Sequence, residues 1–409
     1  MNKTNLRNYA RLVVRTGANV QKGQQVVINA SVDDAYFVKY VVEEAYKAKA
    51  SRVTVEWSCQ DITKMNYKHQ SIKTLTEMPE WVLKKREYAV EKLPAMIHIL
   101  SEDPDGLKGI DQEKLLKVQR VVGPVMMKYR EAMDNKYQWT IVGIPGEAWA
   151  KKIFPNLKKK QAIDALWDAI FKVTRVYGNA IENWDKHNAN LAEKSSKLND
   201  LHIKTLKYTS SNGTNFTVGL KECMKFEAGG AYTLGGVYYN PNMPTEECFT
   251  SPDKTTANGV VYATKPLSVH GVLVDNFAFR FENGKVVEVL CDNKDHKDVL
   301  EKLVSTDEGA AMLGEVALVP YDSPINQTGL LFYNTLYDEN ACCHLAIGRA
   351  FNECIRDYEK LTEEEIEAVD LNKSMIHVDF MIGSEDLSIK ALTYNNEEVV
   401  IFKDGNWAI

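Results

Sequence analysis

The first apolar run of the chain, QQVVINA at residues 24–30, is too short for a helix and reads as a buried strand. Ser31 follows as a candidate helix cap, and Asp33 and Asp34 fall in the first turn, where the helix dipole favours acids. Ala35, Val38, Val41, Val42 and Ala45 then recur at helical spacing, and SRVTVEWS at 51–58 returns as a second strand. Further apolar runs at 95–100 and 139–144 are each followed by helix-like segments. Strands alternating with helices predict an α/β N-terminal domain with a parallel-type sheet.

The pattern changes near residue 190. A polar helix at 183–200 leads into LHIKTLKYT, then SSNGTN, then FTVGL, which is a hairpin around an Asn-Gly turn. Beyond it short strands and glycine-rich loops dominate, with a further strand expected at 329–337 and one acidic helix at 362–369. The expectation is two domains, 1–190 and 191–409, the second a β-rich α+β domain of mixed or antiparallel strands that carries the metal-binding residues.

Composition narrows the classes. Hydrophobic residues at 44% and charged residues at 26% describe an ordinary globular protein, and the formal charge of −6 argues against a nucleic-acid surface. The basic run Lys158, Lys159 and Lys160 reads as a solvated helix end. No apolar run approaches the roughly 20 residues of a membrane span. The opening MNKTNLRNYARLVV lacks the apolar stretch of a secretion signal. Seven scattered cysteines without a CxxC pair fit a reducing cytoplasm better than a disulfide framework. No GxGxxG follows the first strand and no GxxxxGK[ST] occurs, so a nucleotide site has no supporting motif. Arg120, Arg130, Trp81 and Trp149 are read as surface and core residues.

Chemistry concentrates in the second half. ENACCHLAIG (339–348) joins two cysteines to a histidine. A zinc knuckle would want further cysteines at close spacing, and none occurs. In an extended segment Cys343 and His344 point to opposite faces. Cys342 and His344 share a face, yet nothing nearby supplies an orienting carboxylate or amide. His344 is therefore expected as a ligand on a loop after the 329–337 strand, near Glu339, with the cysteines as small packing residues.

In SMIHVDFMIGS, alternation puts Met375, His377, Asp379 and Met381 on one face of a strand and Ile376, Val378 and Phe380 on the other. His377 and Asp379 make either metal ligands or a hydrogen-bonded pair at a sheet edge. Glu315, at the mouth of the strand in LGEVALVPYD, is either edge-exposed or bound to a cation. Glu246 and Glu247, between prolines in NPNMPTEECFTSPD, sit either in a ligand-bearing loop or in a solvated one. Most of the other histidines (His69, His98, His187, His202, His270, His296) lie beside lysines or in polar surroundings, and none suggests a special role. Hard oxygens with two imidazoles suit Zn, Co, Mn or Mg, and so many carboxylates suit two cations sharing one of them.

The ordered series NMPTEECFTSP, LGEVALV, YDENACCHLAIG and HVDFMIG resembles the thermophilic-type metalloaminopeptidase family, that of aminopeptidase T, aminopeptidase S and PepS, over essentially the whole chain. The resemblance implies a cytoplasmic, homodimeric exopeptidase acting on peptides with a free N-terminus through two divalent cations. By matching motifs it implies Glu247, Glu315, Glu339, His344, His377 and Asp379 as metal ligands. Glu315 would bridge the cations, and Glu246 or Glu339 would carry the proton. Where many relatives read H-L-A-x-G-x-A-Y, this chain has HLAIGRAF, so Phe351 stands at an expected tyrosine. Tyr238, Tyr239 and Tyr337 are the candidates to replace it. Another di-metal amidohydrolase or dipeptidase, or a non-catalytic metal-binding protein, remains the alternative.

Overall fold

The computed structural model describes residues 2–269 and 272–409, so His270 lies outside the described residues. The chain divides into two compact units, Met1–Asp185 with Gly230–Pro244, and Lys186–Gly229 with Thr245–Ile409. A single cut at residue 190 misses one excursion. The short strand Asn242–Met243 pairs in parallel with Trp139–Gly143, and segment 230–244 groups with the first unit.

The first unit is the expected α/β domain. Its five-stranded sheet runs Asn242–Met243, Trp139–Gly143, Ala95–Leu100, Gln25–Ser31, Arg52–Ser58, with every pairing parallel. Ser31 caps a short 3-10 turn, Val32–Asp34, through a capping box with Asp34, and the helix Ala35–Lys47 follows. That helix buries Phe37, Val38, Tyr40, Val41 and Ala45, while Ala35 is exposed. The apolar stripe therefore runs through the aromatic residues rather than through Ala35. Trp149 is core and Trp81 is exposed. No helix among the described residues is long and apolar enough to cross a membrane.

The second unit contains two larger antiparallel sheets. Eight strands follow the order Lys285–Cys291, Phe277–Glu282, Asn258–Tyr262, Asn215–Gly219, Ile203–Thr209, Ser388–Thr393, Glu398–Lys403, Asn406–Trp407. The Asn-Gly hairpin forms its centre, with Thr209 opposite Asn215 and Gly213 at φ +103° closing the turn. Five strands form the other sheet: His377–Met381, His344–Gly348, Leu313–Leu318, Cys248–Thr250, Glu227–Ala228.

One apolar core joins the two sheets. Val316, Leu318, Leu345, Ile347 and Phe380 of the five-stranded sheet belong to the same buried cluster as Leu206, Phe216, Phe279 and Ile389 of the eight-stranded one. Phe279 meets Phe380 edge-on at 5.1 Å between centroids. Alternation then leaves the other face of the five-stranded sheet for a different use.

Candidate metal centre

Strand register decides which side chains meet on that face. Glu315 lies opposite Ala346, which lies opposite Asp379. Two positions along, Ala317 faces His344 and His344 faces Met381, and two positions the other way Gly348 faces His377. Glu315, His344, His377 and Asp379 thus share one face, with the small residues Ala346 and Gly348 among them. Phe249 pairs with Ala317, so two-residue alternation carries Glu247 onto the same face.

The central strand reaches this arrangement through a β-bulge. Leu313 pairs with Ile347 but Glu315 pairs with Ala346, so Gly314 is the extra residue. The bulge lets Leu313 join the apolar core while Glu315 turns to the opposite face. Glycine is required there because a Cβ on Gly314 would sit 2.3 Å from the Arg349 carbonyl oxygen and 2.4 Å from that of Gly348.

Two groups of ligand atoms result, Glu247–Glu315–His344 and Glu315–His377–Asp379, with the atoms of each within 4.8 Å of one another. Glu315 belongs to both. His344 Nε2 lies 3.4 Å from Glu247 Oε2. His377 Nε2 lies 3.1 Å from Glu315 Oε2 and 3.2 Å from Asp379 Oδ1. His377 Nδ1 is 2.7 Å from the Arg349 carbonyl oxygen, which can only accept, so Nδ1 carries the proton and Nε2 is turned to the carboxylates.

The electrostatics of the group call for a cation. Burial, then the charges of Glu315 and Asp379, push the Glu247 carboxyl well above the usual carboxylate range. Burial, followed by Asp379, Glu247 and Glu315, does the same to Glu339. Burial opposes protonation of His377, but hydrogen bonds with Asp379 and Glu315 outweigh it and raise the imidazole well above its ordinary value. Burial likewise opposes ionisation of Asp379, yet His377 and His344 hold its carboxyl below the usual value. His344 Nδ1 is buried without a hydrogen-bond partner. Several carboxylates crowded out of water around two imidazoles are costly unless a cation neutralises them, and this donor set fits a hard or borderline divalent ion.

Several expected positions shift. Glu315 is the third residue of its strand and 5% exposed, not at an open strand mouth. His344 begins the strand His344–Gly348 instead of sitting on a loop. No strand forms at 329–337. The Asp338 carboxylate accepts from the backbone N–H groups of Phe332 and Asn334, and Asn334 caps the short helix Thr335–Asp338. Those bonds fold an apolar run into a turn. Glu339 follows in the turn Glu339–Ala341, half-buried, and is in neither ligand group although Asp379, Glu247 and Glu315 act on its charge. Glu246 is also outside both groups, with Oε2 3.8 Å from His187 Nε2.

His187 and Asn340 are the residues that sequence reading passed over. Both are buried beside the ligand-bearing segments. The spacing Trp184, His187, Leu191 put this histidine on the buried side of its helix, a signal that was there to find.

Phe351 is half-buried, its ring 4.8 Å from that of His377 and 5.7 Å from that of Phe249. Tyr337 is fully buried and stacked on Phe332, and Tyr238 and Tyr239 belong to the first unit.

Cys342 and Cys343 are both buried, and burial pushes their thiols up. Cys343 lies in the apolar core and donates to the Val319 carbonyl at 3.3 Å. No cysteine enters a ligand group among the described residues. Cys342→Ala with Cys343→Ala is expected to keep the metal-dependent activity within about threefold while lowering stability by about 1–2 kcal/mol, since only small packing groups are lost. Parallel rate and thermal-melt measurements check this, and complete inactivation of a folded double variant would restore the thiol to the chemistry.

The sequence model of the family described as Thermophilic metalloprotease (M29) matches residues 2–407. Aminopeptidase AmpS of Bacillus subtilis (strain 168) is 44% identical over 405 residues, covering 98% of each chain. Aminopeptidase PepS of Streptococcus thermophilus is 38% identical over 410 residues, covering 100% of this chain and 98% of its own. The solved structure of wild-type AmpT from Thermus thermophilus superposes with a TM-score of 0.90 at 36% identity, covering 100% of both chains.

Proposed function

The chain belongs to the thermophilic metalloprotease family (M29), and from that premise we propose that it is a metal-dependent aminopeptidase of the cytoplasm, releasing N-terminal residues from peptides. The observation that carries the reading is the sharing of buried Glu315 between two ligand groups. Glu247, His344 and Glu315 would hold one divalent cation, and Glu315, His377 and Asp379 a second, with Zn, Co, Mn or Mg suiting these donors. Such cations supply Lewis acidity and make water acidic enough to ionise near neutral pH.

The chain's own groups do the rest. Glu315 bridges the two halves of the site from a strand locked in mid-sheet. The Arg349 carbonyl fixes the tautomer of His377, so that its Nε2 faces the carboxylates. Between the two expected proton carriers, Glu339 is favoured. Its carboxyl feels Asp379, Glu247 and Glu315, whereas Glu246 lies beside His187. A carboxylate held partly away from water beside the ligand groups is suited to accept a proton and return it to the leaving amine.

The test compares an aminoacyl-p-nitroanilide with its N-acetylated form, before and after chelation. An aminopeptidase hydrolyses the free form alone, loses that activity to the chelator and regains it with Zn or Co. Equal turnover of the blocked substrate would point to a general amidohydrolase, and chelator-resistant turnover would point to other chemistry. The homodimer belongs to the same proposal. Light scattering should give twice the chain mass, and a monomer mass would remove it.

A further inference from the structure

We propose that Asn340 and His187 are positioning residues that together clamp one peptide group, Thr245–Glu246, and thereby aim Glu247 at the metal centre. The inference rests on the reading of that centre as a cation site.

The two atoms of this peptide are held from opposite sides. The Thr245 carbonyl oxygen lies 2.7 Å from His187 Nε2, and because a carbonyl only accepts, that nitrogen must carry the proton. The N–H of Glu246 donates to Asn340 Oδ1 at 2.7 Å. With both ends fixed, the peptide plane cannot rotate, and the direction of the next residue, Glu247, is set within the buried loop. Asn340 and His187 are 0% and 7% exposed, so water offers little competition for these bonds.

Asn340 does a second task with its other end. Its Nδ2 donates to the Leu336 carbonyl at 3.2 Å and to Glu339 Oε1 at 3.3 Å, while its own carbonyl accepts from Ser323 Oγ at 2.8 Å. The partners leave the amide orientation no freedom, since the Glu246 N–H can only donate and the Leu336 carbonyl can only accept. One neutral side chain thus joins the loop bearing Glu247 to the turn bearing Glu339. It also engages Glu339 Oε1, leaving Oε2 as the oxygen without this bond. Aspartate has the same shape but cannot donate, and would add a charge beside Glu339. Glutamine is one methylene too long for a packed site.

The experiment titrates the purified full-length, metal-free protein with Zn or Co by calorimetry, alongside thermal melts of the same samples. Asn340→Asp and His187→Ala are expected to weaken at least one metal-binding step by about 10–100-fold, the range for residues that orient ligands. His187→Gln, which can offer an N–H to the Thr245 carbonyl, should recover affinity to within about threefold of wild type, as the bond itself is restored. Unchanged affinity in folded Asn340→Asp and His187→Ala proteins overturns the inference, as does a His187→Gln protein no tighter than His187→Ala. If Asn340→Asp fails to fold, the His187 pair decides alone. Failure of the underlying reading looks different: the wild-type protein itself would then bind no metal.

Discussion

Glu315→Gln should reduce kcat/KM on a free aminoacyl-p-nitroanilide by about 10³-fold or more, because a shared ligand carries several kcal/mol of charge stabilisation and each 1.4 kcal/mol is tenfold. The substitution keeps the shape of the side chain and its reach to His377 Nε2, now 3.1 Å from Oε2. It removes the one carboxylate common to both ligand groups. Stability should move the other way. Metal-free protein loses a negative charge from a cluster in which Glu315 already raises the Glu247 and Glu339 carboxyls, so its melting temperature should hold or rise. Activity lost with stability kept is the mark of a functional site. An active Glu315→Gln enzyme would remove the bridging role.

The second large effect lies one residue away, at a position with no side chain. Gly314→Ala should cost about 10²-fold or more in kcat/KM, since misplacing reacting groups by about 1 Å has that scale. It should also lower stability by about 3 kcal/mol or more, in the range of strongly destabilising core changes. The new methyl would fall 2.3 Å from the Arg349 oxygen and 2.4 Å from the Gly348 oxygen, both backbone atoms that cannot step aside cheaply. The Arg349 oxygen also holds His377 Nδ1. One methyl group therefore disturbs the bulge that aims Glu315 and the carbonyl that orients His377. Melting curves and rates on the same preparation check both halves, and a Gly314→Ala protein indistinguishable from wild type would contradict the role given to the bulge.

Much of this was legible in the chain. Alternation in HVDFM put His377 and Asp379 opposite Val378 and Phe380, and the structure buries Phe380 in the core while the polar pair meets Glu315. The βα alternation of the first 150 residues and the Asn-Gly hairpin were equally plain, because local patterns cause them. What was not legible depends on partners distant in sequence. Glu315 was expected at a strand mouth because strand order, which surrounds it on both sides, is not written locally. The bulge at Gly314 exists only relative to the neighbouring strand. Residues 329–337 have the composition of a strand, and the competing bonds from Asp338 reversed that preference. Asn340 was missed for the same reason, since its partner lies 94 residues away, whereas the burial of His187 was written in its helical spacing and only its partner, 58 residues away, was not.

The proposed centre has two cations sharing Glu315. Crystals of the active, metal-loaded protein measured at the absorption edge of the bound metal test this most directly. The expected anomalous map has two peaks, one among Glu247, Glu315 and His344 and one among Glu315, His377 and Asp379. Active protein whose anomalous peaks lie elsewhere, or that shows no peak beside Glu315, would contradict it.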